Sequence, residues 1–138
     1  MRELKKVLVV DDEPTILLSL SHCLRSQGVE VIKCRSYEIA VEALSRYFFD
    51  LVIADLRLGG NRSQGGLEIL DIVKKISPET AVIIMTAYGS EEVKKEAYQR
   101  GAFHYFDKPL NLENLISLLQ ELGIGPSASE KGISEFIR

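Results

Sequence analysis

Cysteine is scarce in this chain of 138 residues: Cys23 and Cys34 are too few for a disulfide scaffold and have no metal-site spacing. Their expected use is packing inside a reduced, cytosolic domain. The two histidines, His22 and His104, lie far apart without companion ligands at metal spacing, so packing or surface roles are expected. Neither sign of charge dominates, because 17 Lys and Arg against 20 Asp and Glu leave a net charge of −3. That is too small to argue for a nucleic-acid or anionic-membrane surface. Long apolar runs are missing too. Val7–Val10 stops at two aspartates, short of the roughly 7–15 residues of a signal-peptide core or the about 20 of a membrane span. What remains is an ordinary globular composition, 46% hydrophobic and 27% charged, at a length that fits one domain.

Short β-like runs alternate with amphipathic stretches. Lys6–Val10, Val29–Cys34, Leu51–Ala54, Ala81–Met85 and Phe103–Phe106 read as strands, several of them apolar on both faces. Between them, helices are predicted over Glu13–Gln27, from a Ser36 cap to Arg46, over Gly66–Ile76, over Glu91–Arg100, and from an Asn111 cap to Gly123. Ile39, Ala40, Ala43 and Leu44 should face inward on the second helix, and Leu112, Leu115, Leu119 and Leu122 on the last. Five strands separated by helices imply an α/β fold: a doubly wound parallel sheet with helices on both faces, because parallel neighbours need a crossover. Ligands of such sheets bind beyond the carboxyl ends of the strands.

At those ends stand Asp11, Asp12 and Glu13 after the first strand, Asp55 at the third, Thr86 at the fourth and Lys108-Pro109 at the fifth. Close carboxylates repel one another, and a hard divalent cation such as Mg²⁺ relieves the repulsion while using only one or two of them. Asp55 would keep an oxygen free to attack a phosphoryl group, with Lys108 and the metal neutralising the phosphoryl oxygens and Thr86 donating a hydrogen bond. Taken alone, an Asp at a strand end is more often a cap or turn residue; the joint placement of these residues at one sheet edge carries the argument.

The segments VLVVDDEP (7–14), DLVIADLRL (50–58), VIIMTAYGS (82–90) and GAFHYFDKPLNLENL (101–115) resemble the receiver domains of bacterial two-component response regulators. That resemblance implies a flavodoxin-like (βα)5 fold with strand order 2-1-3-4-5. It assigns Asp55 as phosphoacceptor, Asp12 as a direct Mg²⁺ ligand, Asp11 as a ligand mainly through water, and the Arg57 backbone carbonyl as a further ligand. Lys108 would pair with the carboxylate or phosphoryl group and precede a cis Pro109. Thr86 and Tyr105 would be the switch pair, Thr86 moving toward the phosphoryl and Tyr105 turning inward. Residues 1–123 would form the receiver and 124–138 a linker toward an output module. The implied protein is a cytoplasmic signalling switch, phosphorylated by a sensor histidine kinase or a small phosphodonor, and not a turnover enzyme. Transcription control is its expected output.

The GAFHYFDKPL segment resembles receivers that precede the ATPase modules of σ54-dependent activators (NtrC-type), so an ATPase or DNA-binding output domain is expected, with no direct nucleic-acid or membrane contact by the receiver. Related receivers dimerise through the fourth helix, fifth strand and fifth helix. Ile116 and Leu118, with Tyr98, Phe103 or Tyr105, could form that patch here, and a wide buried face is the competing reading. Two departures stand out. Gly59 replaces the usual Pro, and the glycine-rich stretch 58–66 is about three residues longer than usual, as a gate or as a tolerated insertion. Arg57 and Tyr88, each two residues beyond Asp55 and Thr86, would screen the acyl phosphate from water. In the tail, Ile133, Phe136 and Ile137 recur at amphipathic spacing.

Two rivals remain. A receiver acting only by protein–protein interaction would usually have lost the acceptor, an acidic-pair member or the lysine, and none is missing. A haloacid-dehalogenase-like phosphatase would use Asp11 as nucleophile with Glu13 and Thr15 behind it. It needs a later acidic pair at a strand end, which Glu113, Glu121, Glu130 and Glu135 do not supply, and it leaves Asp55 unused.

Overall fold

The computed structural model describes residues 5–59 and 64–125. Five strands, β1 (Lys6–Val10), β2 (Glu30–Cys34), β3 (Leu51–Asp55), β4 (Ala81–Thr86) and β5 (His104–Asp107), alternate with five helices. These are α1 (Pro14–Ser26), α2 (Tyr37–Arg46), α3 (Gly65–Ile76), α4 (Glu91–Gln99) and α5 (Leu112–Glu121). All strand pairs are parallel, in the order β2-β1-β3-β4-β5, with Val10 beside Cys34 and Ala54, and Asp55 beside Met85. The flavodoxin-like order implied by the family resemblance is the one found.

Period-two alternation divides the core into two layers. Val7, Val9, Leu51, Ile53, Ile83 and Met85 pack with Leu17, Leu24, Leu115 and Leu119 on the α1/α5 side. Leu8, Val10, Val52, Ala54, Val82 and Ile84 pack with Ala40, Leu44, Leu70 and Ala97 on the other. Both faces of β1, β3 and β4 are covered, which explains their unbroken apolar sequences. Ser36, Ser90 and Asn111 accept hydrogen bonds from the first-turn amides of α2, α4 and α5, and Pro14 opens α1 where its missing N–H costs nothing. The loosest helix is α4, whose one fully buried residue is Ala97.

Several expectations need correction. Ile39 is 50% exposed, because the buried arc of α2 runs through Ala40, Ala43 and Leu44 and leaves Ile39 outside it. Leu112 is 39% exposed, because it lies in the first turn of α5, ahead of the buried stripe that begins at Leu115. The packed body does not end at Gly123. Ile124 is buried in the α1/α5 core, its N–H donating to Leu119 O at 2.8 Å while Gly123 (φ 71°) donates to Gln120 O. This is a Schellman cap with its apolar contact, and it adds residue 124 to the domain. The tail from residue 126 onward, with Ile133, Phe136 and Ile137, lies outside the described residues.

Candidate functional site

β3 and β4 each run one residue past their expected ends, so Asp55 and Thr86 are the last residues of paired strands and inherit the rigidity of the sheet. Asp11 follows β1 directly, its N–H bonded to Cys34 O at 3.1 Å. Asp11, Asp12 and Asp55 bring carboxylate oxygens within 4.8 Å of one another, Asp11 and Asp55 buried and Asp12 exposed. Lys108 reaches in from the end of β5. Its Nζ donates to Asp11 Oδ2 at 2.9 Å, Asp55 Oδ2 at 3.2 Å and Glu13 Oε1 at 3.4 Å. The other Asp11 oxygen accepts the Glu13 N–H at 2.9 Å. The Lys108–Pro109 peptide is cis.

This crowding has the expected electrostatic signature. Burial, and then the neighbouring Asp11, push the Asp55 carboxyl up to about 6, against the opposing pull of Lys108. Burial also raises Asp11. Burial alone would lower the Lys108 ammonium, but Asp11 and Asp55 outweigh it and hold the group well above its ordinary value. Three carboxylates sharing one ammonium are short of positive charge, and the hard oxygen donor set fits a small divalent cation.

Thr86 is fully buried, and its hydroxyl accepts the Tyr88 N–H at 2.9 Å. Tyr105 points inward, only 5% exposed, with its hydroxyl buried. It therefore drops out of the exposed patch expected across α4, β5 and α5, where Tyr98 and Phe103 remain 39% and 38% exposed. Gly89 makes room for the ring: a Cβ there would collide with the Tyr105 hydroxyl and lie 2.9 Å from Thr86 Cγ2. β5 has a neighbour on one side only, and the Tyr105 N–H donates to the Tyr98 hydroxyl at 3.2 Å. His104 lies beside that hydroxyl and packs against Phe106 with ring centroids 4.5 Å apart and ring planes tilted by 60°; burial and then Lys94 lower its pKa.

Two loops flank Asp55. Arg57 Cζ stands 4.3 Å from the centre of the exposed Tyr88 ring, a cation–π contact that bridges them. A Cβ at Gly59 would lie 3.3 Å from Asp12 Oδ2, so the residue in place of the usual Pro is in close approach to the acidic pair. Residues 60–63 of the glycine-rich stretch lie outside the described residues. Gly66 packs its α-carbon against the backbone of β3, where a Cβ would be 2.5 Å from Asp55 O and 2.9 Å from Leu56 Cα.

Sequence reasoning did not anticipate the Glu13 contact to Lys108, nor the roles of Gly66, Gly89 and Tyr98. A Gly-Leu pair opening α3 was the one signal for Gly66. Both Asp11 oxygens are engaged, by Lys108 and by the Glu13 N–H, and its side chain is fully buried.

The comparisons agree with this geometry. A family model described as the response regulator receiver domain matches residues 7–120. The transcriptional regulatory protein ZraR of Escherichia coli (strain K12) is 36% identical over 115 residues, 83% of this chain and 25% of ZraR. The CheY-like receiver domain protein from Methanospirillum hungatei JF-1 superposes with a TM-score of 0.80 at 30% identity, covering 86% of this chain and 93% of that one. The beryllofluoride-activated NtrC4 receiver domain dimer gives a TM-score of 0.78 at 28% identity, with 86% and 96% covered. The chain belongs to the response regulator receiver domain family, a class of signalling domains rather than turnover enzymes. It spans about a quarter of the length of the curated relatives it matches. No helix among the described residues is long and apolar enough to cross a membrane.

Proposed function

We propose that this domain is a phosphorylation-activated switch in which Asp55 accepts the phosphoryl group. The observation that carries the reading is the convergence on one sheet edge of three carboxylates within 4.8 Å and an ammonium 3.2 Å from Asp55. An Asp55 carboxylate oxygen attacks the phosphorus of a donor, forming a P–O bond. With acetyl phosphate, the bond from phosphorus to the acetate oxygen breaks and acetate leaves with the electron pair. Asp11, Asp12, Asp55 and the Arg57 backbone carbonyl would hold Mg²⁺, which supplies positive charge for the phosphoryl oxygens. Lys108 adds its own charge at the same place. The natural donor is a sensor histidine kinase.

Phosphorylation adds about −1.5 to −2 charges beside Thr86 and Lys108. Moving a two-state equilibrium from 1:99 to 99:1 takes about 5.5 kcal/mol of differential interaction. A few charge-assisted hydrogen bonds at about 1.5–3 kcal/mol each supply that. Thr86 then draws on the loop that leads through Gly89 to α4, and the inward place available to Tyr105 is coupled to it through their contact at Gly89. The readout is the α4-β5-α5 face, with Tyr98 and Phe103 exposed, where a phosphorylation-driven homodimer would form; the NtrC4 receiver neighbour, a dimer, supports this. The whole protein would be a cytoplasmic regulator of the NtrC type that acts through an ATPase or DNA-binding output domain to control transcription. Residues 126–138 would be the linker to it.

Intact mass after incubation with Mg²⁺ and acetyl phosphate tests the reading, a gain of about 80 Da being expected for one phosphoryl group. No gain with Mg²⁺ binding intact would overturn it in favour of a receiver acting by protein–protein interaction alone.

Metal binding should depend on pH. A cation at these carboxylates must displace protons, and Asp55 holds its proton up to about 6. Calorimetry should therefore show Mg²⁺ affinity levelling off above about pH 7 and falling below pH 6 by up to about tenfold per pH unit for each proton displaced. An affinity flat between pH 5 and 7 would reject this ligand set. The Arg57–Tyr88 contact leads to a kinetic expectation. Replacing the pair by Arg57→Asn with Tyr88→Glu should shorten the phosphoryl half-life about tenfold, equivalent to roughly 1.4 kcal/mol of barrier. An unchanged half-life would show that the pair does not screen the acyl phosphate.

A further inference from the structure

Lys108 has three N–H bonds, and three carboxylates face them. Two belong to the buried floor of the site, since the side chains of Asp11 and Asp55 are 0% and 8% exposed. The third, Glu13, is 57% exposed and comes from the residue that caps α1. Its backbone is fixed: the Glu13 N–H is held by Asp11 Oδ1, and its carbonyl accepts the Ile16 and Leu17 amides. The carboxylate thus stands at the solvent side of the ammonium, beside the surface from which any phosphodonor must arrive.

Every small phosphodonor is an anion. On approaching Asp55 it meets the negative charge of Glu13, and its phosphoryl oxygens compete with Glu13 for Lys108. We propose that Glu13 is a specificity-determining residue, an electrostatic filter at the mouth of the site that disfavours donors in proportion to their negative charge. This inference rests on the reading of Asp55 as phosphoacceptor. Because the contact is solvent-exposed, it acts through a water-like dielectric and is sensitive to salt. For a unit charge at about 7 Å in such a medium, Coulomb's law gives about sevenfold in rate against a dianion and about threefold against a monoanion.

The test compares two donors in saturating Mg²⁺ at pH 7, with intact mass as the readout and donor below saturation. Acetyl phosphate is a dianion, whereas phosphoramidate carries one net negative charge less and loses ammonia when its P–N bond breaks. With acetyl phosphate at low ionic strength, Glu13→Gln should be phosphorylated about sevenfold faster than the unmodified protein, and Glu13→Lys faster again by a similar factor. With phosphoramidate each step should be about threefold. Both gains should collapse in 1 M KCl, where the Debye length is about 3 Å. Glu13→Asp, which keeps the charge, should track the unmodified protein. Equal rates across the series, a loss of rate, or a gain that survives salt would overturn the filter. If the unmodified protein takes up no phosphoryl from either donor, the phosphoacceptor reading fails instead and the filter with it.

Discussion

Asparagine in place of Asp55 should abolish the gain of about 80 Da from acetyl phosphate, with no other residue taking up the phosphoryl group. The amide is nearly the same size as the carboxylate but lacks the anionic oxygen that attacks phosphorus. The other acids are poorly placed to substitute. Asp11 has both oxygens engaged, and Asp12 and Glu13 extend from exposed positions beyond the strand end. The fold should survive the change. Asp55 carries a carboxyl pushed up to about 6, so without metal its ionised form is a burden on the folded state at neutral pH. Stability contributed through this group rises as pH falls through 6, because the folded form then binds the extra proton. Metal-free Asp55→Asn protein should therefore melt no lower than the unmodified protein at pH 7, and Mg²⁺ should stabilise it less. A mass gain retained in the variant would move the acceptor elsewhere.

Gly66→Ala should be strongly damaging, because its added methyl meets backbone rather than side-chain atoms. Its Cβ would lie 2.5 Å from Asp55 O and 2.9 Å from Leu56 Cα, backbone atoms at and just past the end of β3 rather than side-chain ends that can swing aside. Overpacking of this kind costs about 3 kcal/mol, or roughly 10 °C in Tm for a domain of this size. Relief would come from a retreat of α3 or from a shift of the Asp55–Leu56 backbone, and the shift would move the Asp55 carboxylate relative to Lys108. Phosphorylation should then be slowed even at temperatures where the variant is folded. Gly28→Ala is the control: φ is 77°, but no atom lies within 4 Å of the added methyl. It should cost only the about 1–2 kcal/mol of a left-handed residue and leave phosphorylation alone. Equal melting temperatures for Gly66→Ala and the unmodified protein would show that α3 can yield without cost.

Most of the architecture was legible because it is written in local pattern. Apolar strands such as Lys6–Val10 and Ala81–Met85 announce a sheet covered on both faces, and Ser36 and Asn111 mark helix starts by a mechanism that needs no tertiary partner. The site was legible for a similar reason: its residues occupy the ends of strands, and strand ends can be read one at a time. What escaped depended on approach between distant segments. Glu13 meets Lys108 across 95 positions of chain, and the Gly89–Tyr105 contact appears only once β5 is docked beside β4. Ile39 and Leu112 were misplaced because an apolar residue at the rim of a helical stripe is decided by the neighbour it finds. Ile124 was assigned to the tail because Gly123 looks like a stop, whereas its positive φ turns the chain back onto Leu119.

The tyrosine on α4 has a consequence for how molecules of this kind come together. The outer rim of β5 is where a further strand could add, and an unpaired amide there is a template for joining two sheets edge to edge. At Tyr105 that amide is already occupied by the Tyr98 phenol. Strand addition at this position would compete with the phenol, which favours side chains laid against side chains over an extended sheet. A docking that extended the sheet would first have to pull the phenol away, and a signal that must be switched off again is better carried by the reversible kind.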